Sequence, residues 1–135
     1  MVRIISGVFL CLHGVVFLFY ACQSFRVFEL QPGLQWPDRS WGFSNLLGDE
    51  VTRVLAGAVC IVTAIGFIAG GVGLMTEQKW WSVFVLGAAG ISGMFLVLFW
   101  DGRMQQLDDK GGIGLLINIV IILVLLLVPQ SFYGV

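Results

Sequence analysis

The sequence predicts an all-α fold: an integral membrane four-helix bundle with an ordered polar cap formed by the first and third loops. Three observations carry this. First, Ile4–Ala21, Val54–Met75, Trp80–Trp100 and Ile113–Val128 contain no Asp, Glu, Lys or Arg. At ~1.5 Å rise per residue, each covers most or all of a ~30 Å hydrocarbon layer. Second, the 135 residues are 59% hydrophobic and only 11% charged, with a mean hydropathy of +0.98. A soluble domain carries about 25% charged residues. Third, Trp80, Trp81 and Trp100 bracket the third span, and Tyr20 and Tyr133 sit near other span ends, as an interfacial aromatic belt requires.

The first span runs over about 2–23. Arg3, the apolar run and Tyr20-Ala21-Cys22 mimic a signal peptide with a lipoprotein-type end. The run exceeds the usual ~7–15 residues, however, and Phe19 and Tyr20 are bulky where small residues belong, so a retained helix is expected. A polar loop, 24–50, follows. The second span covers about 50–75 and begins near Asp49, whose carboxylate can accept hydrogen bonds from first-turn N–H groups. Thr76–Lys79 is a tight turn, making the second and third spans an antiparallel hairpin. The third span covers about 80–101, with Gly102 as its stop. The fourth covers about 112–128 and ends before Pro129. Nothing is left for a separate soluble domain, so residues 1–135 form one bundle, expected as a multi-pass protein of the cell (plasma or inner) membrane.

An even number of spans puts both termini on one side and the first and third loops on the other. Arg3 and Lys79 lie on the terminal side; Arg26, Arg39, Arg53, Arg103 and Lys110 lie on the loop side. The positive-inside rule would place the loops in the cytoplasm. The net charge of −1 argues against a nucleic-acid partner, which requires a basic surface. Cys11, Cys22 and Cys60 form no C-x-x-C or His/Cys cluster. Cys11 and Cys22 lie about 16 Å apart along one helix, too far to bridge.

Small residues dominate two spans: Gly57, Gly66, Gly70, Gly71 and Gly73 in the second, and Gly87, Ala88, Ala89, Gly90, Ser92 and Gly93 in the third. Small residues let helix backbones approach in lipid. Gly66, Gly70, Gly87, Gly90 and Gly93 are therefore expected to pack these two helices together or to form a self-association face. The fourth span is mostly Ile, Leu and Val apart from Asn118, which suits a lipid-facing helix or a greasy contact for another subunit.

Ser6, His13 and Tyr20 recur at heptad spacing in the first span, with Gln23 and Ser24 nearby. His13 is the sole histidine, and an ionisable group at mid-span is a functional candidate by default. Three readings stay open: a neutral His bonded to Thr63, Ser92 or Tyr20; a proton-handling or quinone-contacting residue; a haem or metal ligand, for which no second ligand is evident. Asn118 suits an interhelical hydrogen bond. In the first loop, Pro32-Gly33 fits a type II turn, and Trp36 and Trp41 suit the headgroup region. Arg53, one turn into the second span, needs a partner, with Asp101 preferred and Glu50 the alternative. Arg26, Arg39, Asp49, Glu50, Arg53 and Asp101 thus form either a structural ion-pair network or a site for a polar headgroup or small anion. Gly111, Gly112 and Gly114 could add backbone N–H groups to it.

Gly48-Asp-Glu-Val-Thr-Arg-Val-Leu-Ala-Gly57 followed by Ile65-Gly-Phe-Ile-Ala-Gly-Gly-Val-Gly-Leu74 resembles the second helix of DoxX-like small four-span proteins, and length and hairpin layout match. Gln-Pro-Gly-x-x-Trp-Pro-Asp at 31–38 and Trp-Asp-Gly-x5-Asp-Asp-Lys-Gly-Gly at 100–112 look closer still to uncharacterised bacterial four-span proteins. The resemblance implies a possible link to quinone-dependent membrane oxidoreductase assemblies, and it leans against the orientation that the basic residues favour. No catalytic, nucleotide-binding or metal motif stands out, so an enzyme is not the expectation. The leading expectation is an accessory or structural subunit of a membrane complex, or a homo-oligomer, with the lipid bilayer and other membrane subunits or itself as partners. The alternative is binding or transport of a lipid, quinone or other amphiphile within the bundle, with His13 and Arg53 at its polar end. A third is a small quinone- or haem-linked oxidoreductase subunit. No cofactor is evident; quinone and lipid remain open.

Overall fold

The computed structural model describes residues 1–30, 36, 40–100 and 111–134. Within them the chain is all-helical: α1 (Val2–Ser24), α2 (Phe43–Leu47), α3 (Asp49–Met75), α4 (Trp81–Leu98) and α5 (Ile113–Leu127), then a 3-10 turn at Gln130–Tyr133. Helices α1, α3 and α4 are long and apolar enough to cross a membrane, whereas α5, at 15 residues, is shorter. Apolar composition rather than amphipathicity drives these helices. Large side chains such as Ile5, Leu12, Ile65, Val83, Leu116 and Leu127 point outward, the arrangement expected where lipid is the solvent.

The packed interfaces are α1–α3, α3–α4 and α4–α5, with α2 lying on α3. The first of these is the most extensive, so the hairpin of α3 and α4 is not the tightest contact. Glycine explains why. A Cβ placed on Gly71 would lie 2.7 Å from the Gly7 carbonyl oxygen, and one on Gly14 would lie 3.0 Å from the Ala64 oxygen. The two backbones meet where side chains would hold them apart. Gly66 meets Ala88 and Gly70 meets Val85 across the α3–α4 interface, as expected of that hairpin. Gly87 and Gly90 depart from expectation: a Cβ there would meet nothing within 4 Å, and one on Gly93 would reach only Leu115 at 3.9 Å. The α4 face that packs carries Val85, Ala88, Ala89 and Ser92, and Gly87 and Gly90 lie off it.

Helix ends differ from the expected ones for local reasons. Gly48, at φ 78°, caps α3. Asp49 is the first helical residue, one position past the cap that it was expected to supply. Asp49 and Glu50 still place negative charge at the positive end of the helix. Helix α4 ends at Leu98 rather than 101, and its last carbonyls are taken by the first loop. Ser40 Oγ donates to Leu98, Trp41 Nε1 donates to Val97 at 3.2 Å, and Trp41 N donates to Trp100 at 3.0 Å. These bonds satisfy acceptors that a helix terminus otherwise leaves orphaned. A π turn at Gly111–Gly112 leads into α5, with Gly111 at φ 84°.

Candidate functional site

Polar groups gather at three depths. Near mid-bundle, His13 Nε2 donates to Asn118 Oδ1 at 3.0 Å. The imidazole is 6% exposed and Asn118 1%. Phe67 lies 4.7 Å, Phe17 5.5 Å and Phe9 6.2 Å from the ring, centroid to centroid. The partner is thus Asn118, not Thr63, Ser92 or Tyr20. Ser92 is turned to its own helix, donating to Ala89 at 3.1 Å, and the buried Thr63 hydroxyl has no partner among the described residues. Asn118 and Ile121 are the buried side chains of α5, so the bond to His13 is what fixes this otherwise outward-facing helix to α1. No group of three His, Cys, Asp or Glu gathers among the described residues.

On the side of the termini, α1 and α5 share no interface comparable to the other three. A cavity of about 190 Å³ lies between them. Its walls are Ser6, Phe9 and Leu10 of α1, Val120, Ile121, Val124 and Leu125 of α5, Leu74 of α3, Trp81 and Val85 of α4, and Tyr133. The polar members sit toward the outer end, where Trp81 opens α4 and its ring lies 5.3 Å from Tyr133. Burial pushes the Tyr133 phenol above its ordinary value, so it stays a neutral donor. The Trp81 indole N–H is buried and has no acceptor among the described residues. Phe9 lines the cavity and also stacks on His13, joining the two sites. Arg3 and Glu77 pair nearby, tying the start of α1 to the turn between α3 and α4.

On the loop side, described residues pack around Trp36. Trp36, expected in the headgroup region, is 1% exposed. Its ring packs on Tyr20 at 4.8 Å and Phe95 at 5.9 Å. Gln23 holds it there, donating from Nε2 to the Trp36 carbonyl and accepting from Leu30 N, both at 2.9 Å. Arg53 Nη1 donates to the Ser24 carbonyl at 3.0 Å. No ion pair joins Arg53 to Glu50, its alternative partner; Asp101, the preferred one, and Arg39 lie outside the described residues. Arg26 is exposed and follows the C-cap of α1. Arg53 therefore lies with the loop-side residues, and neither it nor His13 lines the crevice between α1 and α5.

Sequence reasoning placed Gln23 beside the polar stripe of the first span and Trp36 and Trp81 at the interfaces, but missed their burial and the contacts that they make. A glutamine on the buried face of an apolar helix end must find partners, and that signal was available for Gln23. Nothing in the sequence separates the inserted Trp36 from the exposed Trp41. No family model, curated protein or solved structure matches the chain.

Proposed function

We propose that this helical membrane protein holds the apolar chain of a membrane amphiphile, such as a lipid or quinone, in the crevice between α1 and α5. The observation that carries the reading is the unsealed seam between α1 and α5. Three helix pairs pack closely, and an apolar cavity remains between the first and last helices. Concave, mostly apolar sites with a few polar groups are the usual form of a ligand pocket. The test is native mass spectrometry of protein extracted gently from membranes, beside a Val120→Trp variant that fills the crevice. A stoichiometric extra mass on the wild type that is lost in the variant supports the reading. A wild type without bound mass, or the same mass on both, overturns it.

A second reading is favoured by the outward Gly87 and Gly90. Glycine facing lipid contributes no packing, whereas it admits the close approach of another helix. On this reading the chain is an accessory subunit of a membrane complex or a homo-oligomer. Gly87→Leu and Gly90→Leu should then dissociate the assembly on native gels; an unchanged oligomeric state would count against it. Membership of the DoxX-like group, residence in the plasma or inner membrane, and a place beside a quinone-linked oxidoreductase belong to the same proposal, and the mass of the bound molecule would test the last.

A further inference from the structure

We infer that the crevice takes one hydrocarbon chain of a bilayer lipid, entering sideways from the membrane, and that it recognises no headgroup. This rests on the ligand-binding reading above and names its ligand class: an acyl-chain lipid, not a quinone held by its ring. The walls differ in exposure. Phe9 of α1 and Val120 and Val124 of α5 line the crevice and are 47%, 57% and 37% exposed, whereas Leu74, Val85 and Ile121 behind them are buried. The rim therefore belongs to the outward apolar surface of the bundle, and the floor lies inside it. That outward surface is the one lipid covers, so a chain of the surrounding lipid reaches the floor without leaving hydrocarbon.

Charge and size keep the headgroup outside. No charged side chain lines the crevice, and Arg3, nearly one turn before Ser6, is engaged with Glu77. A phosphate or ammonium enclosed there would lose its hydration and find no counter-charge. The cavity, at about 190 Å³, compares with the ~150 Å³ that encloses the carbons of one benzene ring, so in proportion it holds about eight carbons of chain. That is roughly half of a palmitoyl chain, and too little for a substituted quinone ring with the start of its tail. Dispersion supplies the binding energy. Lipid chains are as apolar as the lining, so no hydrophobic gain accompanies entry. An unfilled apolar space stays dry and forfeits the contacts of its lining atoms, and a chain restores them.

The test is native mass spectrometry of the full chain in detergent, titrated separately with three lipids of identical chains: dipalmitoylphosphatidylcholine, dipalmitoylphosphatidylglycerol and dipalmitoylglycerol. We expect one molecule of each to bind per chain with affinities within about 3-fold of one another, and all three to be lost in Val120→Trp. A preference of roughly 10-fold or more for one headgroup, with binding still lost in Val120→Trp, overturns the inference while the crevice stands. Displacement of the bound lipid by a tail-less benzoquinone does the same, because the ring would then be what the crevice holds. Binding of none of the three lipids to a wild type that retains some other mass from its membranes also overturns the inference alone. Binding of none to a wild type without such a mass, or binding that Val120→Trp leaves intact, overturns both. If Val120→Trp does not fold, Val124→Trp fills the same rim and decides.

Discussion

Arg26 and Glu77 occupy the same position in two helix ends. Arg26 N donates to Gln23 and Val27 N to Cys22 at the end of α1; Glu77 N donates to Leu74 and Gln78 N to Gly73 at the end of α3. Both are Schellman motifs, whose left-handed residue is usually glycine. Here Arg26 has φ 56° and Glu77 φ 61°, a conformation costing about 1–2 kcal/mol for a side-chain-bearing residue. Arg26→Gly should therefore raise stability by about 1 kcal/mol, read as a higher melting temperature in detergent. A loss would mean that the guanidinium makes a contact worth more than the strain. Glu77→Gly is a poorer test, because it also removes the pair with Arg3. At mid-depth, His13→Leu and Asn118→Leu should each destabilise by roughly 1–3 kcal/mol by stranding the other partner. The double variant should recover part of that loss. Strict additivity in a double-mutant cycle would show that the 3.0 Å bond contributes nothing net.

Among the elements, α1 and α3 approach because Gly7, Gly14 and Gly71 remove side chains from the seam. Gly71→Ala sets a methyl 2.7 Å from the Gly7 carbonyl, which cannot swing aside as a flexible side chain would. It should cost about 1–3 kcal/mol. Gly90→Ala, on the open face of α4, should gain about 0.5–1 kcal/mol from backbone entropy. Cys60, fully buried in α3, supplies the readout through its rate of thiol labelling on unfolding. Equal labelling of both variants would refute the packing account. The spans themselves were legible in the sequence, since uninterrupted apolar runs leave helices as the main way to satisfy backbone groups in lipid. Gly66 and Gly70 were legible as α3–α4 contacts for the same reason. Which face of α4 packs was not, because glycines and alanines alternate around it and only the partner helix decides. Helix α2 escaped notice because five residues carry no periodicity, and the caps by Ser40 and Trp41 depend on a fold that brings residues 40 and 98 together. His13 and Asn118 were each legible as polar residues in apolar helices, but their pairing required knowing that α5 reaches α1.

Among the described residues, the bundle leaves a crevice between α1 and α5 on the side of the termini, and toward the loops Trp36 is buried against Tyr20 and Phe95. Trp36→Ala should cost about 3–5 kcal/mol through the cavity it leaves while admitting water beside Tyr20. A small change in melting temperature would show that the indole is not a structural plug. The helices are also unequal in length. At ~1.5 Å per residue, the 27 residues of α3 span about 40 Å and the 15 of α5 about 22 Å, on either side of a ~30 Å layer. A long helix accommodates by tilting, but a short one must thin the bilayer or draw its flanking residues inward. Helix α5 cannot lengthen at its far end: Val128 is extended and Pro129, at φ −64° and ψ 144°, starts the 3-10 turn that delivers Tyr133 to Trp81. Shortness and the crevice are therefore coupled, since the turn that truncates α5 supplies the crevice's outer wall. The protein should be more stable in bilayers of 14-carbon chains than of 22-carbon chains. Pro129→Leu, which permits another helical turn, should reduce that preference and displace Tyr133, weakening ligand retention. If stability is the same in both bilayers, α5 is matched by some other part of the chain and the coupling fails. If Pro129→Leu removes the thickness preference but leaves retention intact, Tyr133 is not part of the binding wall.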